Sequence, residues 1–323
     1  MYRLSALPRL QLAAAIVLAA VCLAGCGQQA ATPRAADADG VKVVRLAYLP
    51  ITHALPLFAA RELETPDGPV RIELVKYGSW PELMDALNTG RIDGAAVLIE
   101  LAVKAREQGI DVRAAALGHR DGNVIIGGPD ITSGADLKGK IFAIPHKQSS
   151  HKLLLDQYLA QYGLTEDDLT VVEMSPPEMP SGLAQGQIAG YCVAEPFGAK
   201  AIALGTGHIL ARSDELWPDS LCCALVWNGG FIDANKELAR TVTQEYLAAG
   251  HYLSEHHDAQ LDIASRYLKA KPAVIDLSLQ WISYDDLRIT RPAYAELIRR
   301  MQETNLIKAA PDYEEFVATE LTE

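Results

Sequence analysis

Aromatic residues, cysteine and positive charge are all scarce in this 323-residue chain. Aromatic residues make up 7% of it, there are five cysteines, and 29 Lys and Arg residues are set against 41 Asp and Glu residues, for a formal net charge of −12. The deficit of positive charge argues against a nucleic-acid partner, because phosphate backbones are bound by basic surfaces. The sequence also lacks the GxSxG, Walker A, GxGxxG and zinc-hydrolase signatures. Without such motifs we predict no catalytic residues and no cofactor.

Long apolar runs are missing after the first 25 residues. Arg3 and Arg9 precede the apolar run 12–25, which is short for a membrane span and ends in Leu-Ala-Gly-Cys26. This ending resembles the lipobox of bacterial lipoproteins, which are cut before the cysteine and lipidated on it. We therefore predict a signal peptide at 1–25, lipidation of Cys26, a flexible tether at 26–40 and export to the periplasm or outer face of a bacterial membrane. A buried N-terminal helix is the structural alternative.

Three cysteines remain beyond the predicted signal: Cys192, Cys222 and Cys223. Export places them in an oxidising compartment, where one disulfide can form. Adjacent residues of a strand point to opposite faces, so we expect only one of Cys222 and Cys223 to reach Cys192. Three buried thiols that act as small apolar side chains fit the sequence equally well. No cysteine spacing is typical of a metal site, and the cluster His251, Glu255, His256 and His257 is predicted to be a solvated helix face rather than a metal centre.

One stretch of thirty-five residues occurs twice, at 75–109 and at 171–205. At a constant offset of 96, twelve positions are identical, including Ser79/Ser175, Pro81/Pro177, Gly90/Gly186 and Gly94/Gly190. Each copy predicts a strand, a helix that Ser-x-Pro-Glu opens and a glycine closes, a buried apolar strand and a second helix. Alternating strands and helices predict parallel α/β packing. Two copies predict two similar lobes with a cleft between them.

The order of predicted elements divides the chain into the two lobes. Strands at 41–49, 71–77, 111–117 and 123–128 belong to the first predicted lobe, and the pattern begins again near residue 136. From residue 233 the pattern is helical, at 233–254, 258–269, 272–282, 291–304 and 311–320. We predict that this tail returns to the first lobe. The predicted domains are 41–130 plus 225–323 for lobe one and 131–224 for lobe two.

Several motifs resemble the solute-binding proteins of ABC importers in the nitrate, bicarbonate, sulfonate and taurine group. The matching segments are Gly-Ser-Trp at 78–80, Ile-Asp-Gly-Ala at 92–95, Pro-Pro-Glu-Met at 176–179 and Gly-Tyr-Cys-Val-Ala-Glu-Pro-Phe at 190–197. The last is closest to the nitrate/bicarbonate branch. The resemblance implies a two-lobed type II periplasmic-binding-protein fold, in which the lobes close on one small ligand. It also implies delivery to an ABC permease and its ATPase by a monomeric protein that a lipid anchor holds at the membrane.

The resemblance also places ligand-facing side chains. Trp80, Asn123 and His151 fall where the nitrate/bicarbonate branch puts them, and Glu195 lies in its Glu-Pro signature. Helix N-termini offer free N–H donors to anions, so Gln148, Ser149 and Ser150 join His151 in one predicted anion site, and Thr52 and His53 form a second. For each residue a structural role is the alternative: Thr52, Ser149 and Ser150 as helix caps, His53 as a surface residue, Trp80 as a core residue and Glu195 as an anchor of its turn.

The leading functional hypothesis is capture of a small oxyanion, such as an alkanesulfonate, nitrate or bicarbonate. A second keeps the importer role with a neutral or aromatic ligand, such as a pyrimidine vitamin precursor, that stacks on Tyr48, Tyr77 and Trp80. An exported enzyme built around His151 and Glu195 is the third hypothesis, and a signalling receptor is the fourth.

Overall fold

Apolar runs bounded by glycine and proline become strands and helices along most of this chain. The computed structural model describes residue 36 and residues 40–323, so the predicted signal peptide, the lipidation site Cys26 and nearly all of the predicted tether lie outside the described residues. The strands are β1 Lys42–Tyr48, β2 Val70–Lys76, β3 Gly94–Leu98, β4 Val112–Leu117, β5 Arg120–Asp121, β6 Asn123–Gly127, β7 Ile141–Ile144, β8 Thr170–Glu173, β9 Gly190–Ala194, β10 His208–Arg212, β11 Cys223–Asn228 and β12 Ile282–Ser283.

The helices alternate with these strands and then dominate the C-terminal part. They are α1 Leu55–Glu62, α2 Trp80–Asn88, α3 Ile99–Glu107, α4 Ser150–Ala160, α5 Met179–Ala184, α6 Phe197–Ala203, α7 Ser213–Leu216, α8 Gly229–Ala234, α9 Lys236–Glu255, α10 His257–Tyr267, α11 Pro272–Ser278, α12 Arg291–Glu303 and α13 Tyr313–Phe316. The tail is helical as predicted, although its last helices are shorter than the pattern indicated. Among the described residues no helix combines the length and apolar character needed to cross a bilayer.

Two five-stranded sheets have the same topology. The first has the order β2-β1-β3-β11-β4 and the second the order β8-β7-β9-β6-β10. In each sheet the first three strands run parallel, whereas the fourth, β11 or β6, runs antiparallel to its neighbours. Each antiparallel strand follows a segment that arrives from the other sheet, so the chain crosses between the sheets at 118–122 and again at 213–222. We call these segments the first and second crossings.

The thirty-five-residue repeat is visible in the strand register. Leu46 pairs with Gly94 in the first sheet, and Phe142 pairs with Gly190 in the second, at the same offset of 96 residues. Each glycine allows a close approach, because an added Cβ at Gly94 would lie 2.9 Å from the Leu46 side chain and at Gly190 3.0 Å from that of Phe142. The predicted repeat of strand, helix, strand and helix is therefore confirmed.

The ends of the repeated helices agree with the prediction only in part. Gly90 and Gly186 both adopt φ of +69°, the left-handed conformation expected of a residue just past a helix end. Ser79 occupies the position before α2, and Ser175 the position before the turn that leads to α5. Neither side chain makes a capping hydrogen bond to a described residue.

The domain division stays a prediction, but strand β6, which lies before the proposed boundary at residue 130, pairs with strands of the second sheet. The prediction assigned residues up to 130 to the first lobe, whereas β6 pairs within the second sheet, with β9 and β10. Periodicity identifies a strand but not its neighbours, and the crossing at 118–122 precedes β6. Among the described residues, both sheets belong to one compact unit.

Candidate functional site

Polar residues that follow strands of the two sheets lie close to the two crossings. The short turn Thr52–Ala54 follows β1, Glu195 follows β9, and His119 lies in the first crossing. Ligands of open α/β sheets bind beyond the carboxyl ends of parallel strands. The candidate site therefore lies between the two sheets, where the sequence analysis expected it.

Thr52 joins the two sheets by hydrogen bonds to a backbone carbonyl group. Its N–H and hydroxyl both donate to the Glu195 carbonyl, at 2.9 and 3.0 Å. The Tyr284 hydroxyl from the C-terminal part donates to the Thr52 carbonyl at 2.9 Å. Since its hydroxyl is engaged in this way, Thr52 acts as a bridge between the lobes in the described structure rather than as a free donor for an anion.

Glu195 is buried and anchored by hydrogen bonds, in agreement with its structural alternative. One carboxyl oxygen accepts the Ala199 N–H at 2.9 Å and the other accepts the Trp281 indole N–H at 2.9 Å. Burial raises the pKa of this carboxyl to about 7, although the hydrogen bonds act in the opposite direction. Trp281 thereby connects the helical tail to the turn that begins α6.

Ser149 and Gln148 have local roles at the start of α4. The Ser149 hydroxyl accepts the Lys152 N–H at 3.4 Å and donates to the His146 carbonyl at 2.6 Å, which makes Ser149 a helix cap. The half-buried Gln148 donates its backbone N–H to the His146 ring at 3.0 Å. The Ser149 cap is the predicted structural alternative.

Nine residues carry a buried side-chain polar atom that lacks a hydrogen-bond partner among the described residues, and five of these side chains are the most deeply buried. Each of the five is at most 2% exposed. Their unpartnered atoms are Nε1 of Trp80, both carboxyl oxygens of Glu100, Nδ2 of Asn123, Oγ of Ser150 and both ring nitrogens of His151. Buried polar groups are normally hydrogen-bonded, so this set points to a polar ligand. Four of the five were predicted, and only Glu100 was missed.

The two titratable members of this set both favour their neutral forms. Burial lowers the pKa of His151 to about 4. The nearby Cys222 opposes this shift, whereas His53 and His119 lower the pKa further. Burial, with the nearby Cys222, raises the pKa of the Glu100 carboxyl well above its usual value. The Ser150 hydroxyl faces this carboxyl, although no hydrogen bond of standard geometry joins them. The set therefore offers hydrogen-bond donors without a formal positive charge.

A second group of buried side chains lies beside this set and was missed by the sequence analysis. One nitrogen or sulfur atom from each of His53, His119, Cys222 and Cys223 lies within 4.8 Å of the others. His53 Nδ1 is 3.7 Å from the sulfur of Cys222 and 3.6 Å from that of Cys223, and the two sulfurs are 3.9 Å apart. We call these four side chains the Cys-His tetrad.

The position of Cys222 overturns the expectation that the adjacent cysteines point apart. Strand β11 begins at Cys223, so the alternation of faces within a strand does not govern Cys222. The Cys222 carbonyl accepts the N–H of Ile99, and the Cys223 carbonyl accepts the N–H of Gly118, each at 2.7 Å. The three cysteines are unpaired and Cys192 is outside the tetrad. The signal that could have found the tetrad is the Cys-Cys pair together with His53 and His119 near the ends of strands.

The two adjacent cysteines differ in acidity. Burial raises the pKa of the Cys222 thiol, but hydrogen bonds with Cys223, His119 and His53 outweigh this effect and leave the pKa well below its usual value. Burial raises the pKa of Cys223.

Comparisons with known proteins show a family and a shared fold. A family model described as the NMT1-like family matches residues 37–268, which is most of the chain. This chain belongs to the NMT1-like family. The ligand-binding component of an ABC-type import system from Staphylococcus aureus, solved with zinc bound, is 38% identical, covers 86% of this chain and 97% of its own, and has a TM-score of 0.82.

More distant members of the group bind nitrate. The periplasmic nitrate-binding protein NrtA of Synechocystis PCC 6803 is 19% identical, covers 87% of each chain and has a TM-score of 0.79, which shows a shared fold. The nitrate/nitrite binding protein NrtA of Nostoc is 26% identical over 80% of this chain. The chain spans 29% of the length of the first curated relatives, which are transport ATP-binding proteins, and 66% of NrtA. The predicted resemblance and the periplasmic-binding-protein fold are confirmed.

Proposed function

We propose that this NMT1-like protein is the solute-binding component of an ABC importer, and that it holds a small oxyanion between its two lobes and delivers it to a permease. The observation that supports this most directly is the set of unpartnered polar atoms on Trp80, Asn123, Ser150 and His151. Trp80 begins α2, which follows β2 of the first sheet, whereas Asn123 begins β6 of the second sheet and Ser150 and His151 begin α4. All four side chains are buried, and both lobes contribute to the site that we propose at their interface. Closure of two lobes on a ligand at such an interface is the hinge motion of periplasmic binding proteins.

An oxyanion fits this set because its oxygens accept hydrogen bonds from several directions. The Trp80 indole and the Asn123 amide are N–H donors, and the Ser150 hydroxyl and the neutral His151 ring each carry a donor hydrogen. Helix α4 is eleven residues long and presents Ser150 and His151 at its N-terminus, where the helix dipole favours negative charge. These donors hold an anion although the chain as a whole has a net charge of −12.

The test compares two variants that remove these donors, Trp80→Phe and His151→Ala, with wild type by thermal stabilisation and calorimetry in nitrate, bicarbonate and methanesulfonate. A hydrogen bond to a charged group contributes about 1.5–3 kcal/mol, so we expect each variant to lose about 10–100-fold in affinity. Trp227→Phe is the matched control, because Trp227 is equally buried but donates its indole N–H to Thr243 at 3.0 Å. Equal loss in the control, or no loss in either site variant, would contradict the proposal.

The alternative of an aromatic ligand has less support from the side chains that would stack on it. Tyr48 packs edge-on against Phe58, with ring centroids 4.8 Å apart, and so belongs to the core. Trp80 remains available, and calorimetry with pyrimidines beside the oxyanions separates the two ligand classes. The fold by itself does not separate binding from catalysis, because a desulfurization enzyme, DSZB, shares it at 16% identity with a TM-score of 0.63. Turnover of a bound solute would favour the enzyme hypothesis.

The membrane anchor and the partners complete the proposal. We propose that the protein is exported, is lipidated on Cys26 and works as a monomer beside a permease and its ATPase. Cys26→Ala is expected to move the protein from the membrane fraction to the soluble fraction. Recovery of a permease and an ATPase with the wild-type protein would separate an importer subunit from a signalling receptor.

A further inference from the structure

We propose that the Cys-His tetrad binds one thiophilic transition-metal ion, with Zn²⁺ as the representative, and that this ion ties the two crossings to the first lobe. The tetrad consists of His53, His119, Cys222 and Cys223, and each of these residues is at most 1% exposed. Two cysteine sulfurs and two imidazole nitrogens form a ligand set that zinc prefers at structural sites. This inference goes beyond the proposed function and does not depend on which solute is imported.

The distances within the tetrad match the edges of a tetrahedral zinc site. Zinc lies about 2.3 Å from thiolate sulfur and about 2.0–2.1 Å from imidazole nitrogen, so tetrahedral geometry puts two sulfurs about 3.8 Å apart and a sulfur and a nitrogen about 3.6 Å apart. The measured sulfur–sulfur distance is 3.9 Å, and the distances from His53 Nδ1 to the two sulfurs are 3.7 and 3.6 Å. Three of the four ligand atoms thus already form one face of the required tetrahedron.

Backbone carbonyl groups fix one nitrogen of each imidazole, and the two rings pack with their centroids 3.5 Å apart, so a shared ion would require the rings to separate. His53 Nε2 lies 3.1 Å from the Gly122 carbonyl and His119 Nδ1 lies 2.7 Å from the Asp121 carbonyl. Each of these nitrogens must carry the hydrogen that it donates, which leaves Nδ1 of His53 and Nε2 of His119 as acceptors. His119 Nε2 accepts the Cys223 backbone N–H at 3.4 Å, and a metal ion would replace this bond. A carbonyl group that fixes the second nitrogen of a histidine is a regular feature of metal centres.

The ligands come from three separate segments of the chain. His53 lies in the turn after β1, His119 in the first crossing, and Cys222 and Cys223 where the second crossing enters β11. Four protein ligands leave a zinc ion without an open position. The ion would therefore hold the crossings together rather than bind the oxyanion directly, and it would balance the charge of two thiolates that are otherwise costly to bury.

The experiment uses the whole exported protein, stripped of metal with a chelator and kept reduced with a phosphine. Titration with Zn²⁺ against a chromophoric chelator is expected to give one tight site per chain, and Co²⁺ is expected to give a thiolate-to-metal charge-transfer band. Cys222→Ser and Cys223→Ser are expected to weaken Zn²⁺ binding by more than about 100-fold, since loss of an outer partner alone costs 10–100-fold.

Two controls separate the tetrad from other thiols and from surface histidines. Cys192→Ser removes a thiol that is equally buried but outside the tetrad. The double variant His251→Ala/His257→Ala removes exposed rings that pair with Glu255 and Asp276. Both controls are expected to keep the tight site. Because Cys222→Ser can also impair folding, X-ray absorption at the zinc edge of the unmodified protein provides a second measurement, with two sulfur and two nitrogen neighbours expected.

The inference is overturned if the unmodified reduced protein binds no tight Zn²⁺, if Co²⁺ gives no thiolate band, or if either control removes the site. A disulfide between Cys222 and Cys223 that persists under reduction would also overturn it. Trp80→Phe and His151→Ala are expected to retain tight Zn²⁺ binding, so loss of the oxyanion and loss of the metal are separate results. If none of the proposed oxyanions binds, the metal site is still supported. If no metal ion binds, the proposed oxyanion site is still supported.

Discussion

His53 and Glu195 show how much the role of a polar residue depends on its hydrogen-bond partners. Both were predicted to face a ligand, His53 because it follows a strand near a helix N-terminus and Glu195 because it lies in the Glu-Pro signature of the resemblance. In the structure Glu195 is anchored by Ala199 and Trp281, whereas His53 directs one nitrogen at a backbone carbonyl and the other at two sulfurs. Residue type and position identified both as candidate site residues, but not which of their atoms would remain available.

The raised pKa of Glu195 predicts how the stability of the fold depends on pH. This pKa of about 7 lies above the ordinary 4.5, so between these values the folded protein keeps a proton that the unfolded chain releases. Stability contributed by this group therefore falls as pH rises from about 4.5 to 7, by up to about 3 kcal/mol. Glu195→Gln cannot titrate and is expected to flatten this slope, measured as the free energy of unfolding in denaturant across that range.

A matched carboxyl controls for general pH effects on the Glu195 variant. Glu178 also lies in the second copy of the repeat, but it is exposed. Glu178→Gln is expected to retain the wild-type slope. A Glu195→Gln protein with the same slope as wild type would show that this carboxyl titrates normally in the folded state.

At the level of helices and strands, the sequence predicted the repeat because its signals are local. Buried strands β3 and β9 appear as short apolar runs, and Gly90 and Gly186 mark helix ends through positive φ. Neither signal requires knowledge of distant residues. Assigning β6 to a sheet did require knowledge of distant residues, because a buried strand has the same apolar pattern in either sheet.

The repeated glycines inside the strands lead to a stability prediction. A Cβ at Gly190 would lie 2.6 Å from the Ile126 carbonyl oxygen and 3.0 Å from the Phe142 ring, and a backbone oxygen cannot move as a flexible side chain can. We expect Gly190→Ala to destabilise the fold by about 1–3 kcal/mol, as overpacking does. Chemical denaturation measures the effect.

Gly78→Ala is the control for the strand glycine. Its nearest neighbour would be the Glu82 carboxyl oxygen at 3.9 Å, which is ordinary contact. We expect a change within about 0.5 kcal/mol for this variant. Similar losses for Gly78→Ala and Gly190→Ala would show that the close approach of β6 and β9 is not what requires glycine.

Across the whole molecule, polar contacts join the two sheets to each other, to the crossings and to the tail. Thr52 bonds to Glu195, Glu195 bonds to Trp281 of the tail, and β12 of the tail pairs with β5 of the first crossing. The tail thus connects to both the first crossing and the second lobe. This arrangement is suited to a hinge whose closed form these bonds help to hold.

Thr52→Val tests this hinge. It removes the hydroxyl bond to the Glu195 carbonyl and leaves the backbone bond in place. A hydrogen bond contributes about 1 kcal/mol, so we expect solute affinity to fall about fivefold because the closed form is less populated. Calorimetry measures the affinity. Thr241→Val, in an exposed part of α9 where the hydroxyl bonds to Glu237, is expected to leave affinity unchanged; a drop equal to that of Thr52→Val would argue against the hinge.

The sequence by itself determined the repeat, the two-lobed α/β class and four of the five most deeply buried residues whose polar atoms lack a partner among the described residues. These features depend on periodicity, glycine and positions at strand ends, which are properties of neighbouring residues. The tertiary structure alone decided that Thr52 and Glu195 bind each other and that β6 belongs to the second sheet. It also decided that His53, His119, Cys222 and Cys223 converge, because their contacts join residues up to 170 positions apart and depend on how the crossings run.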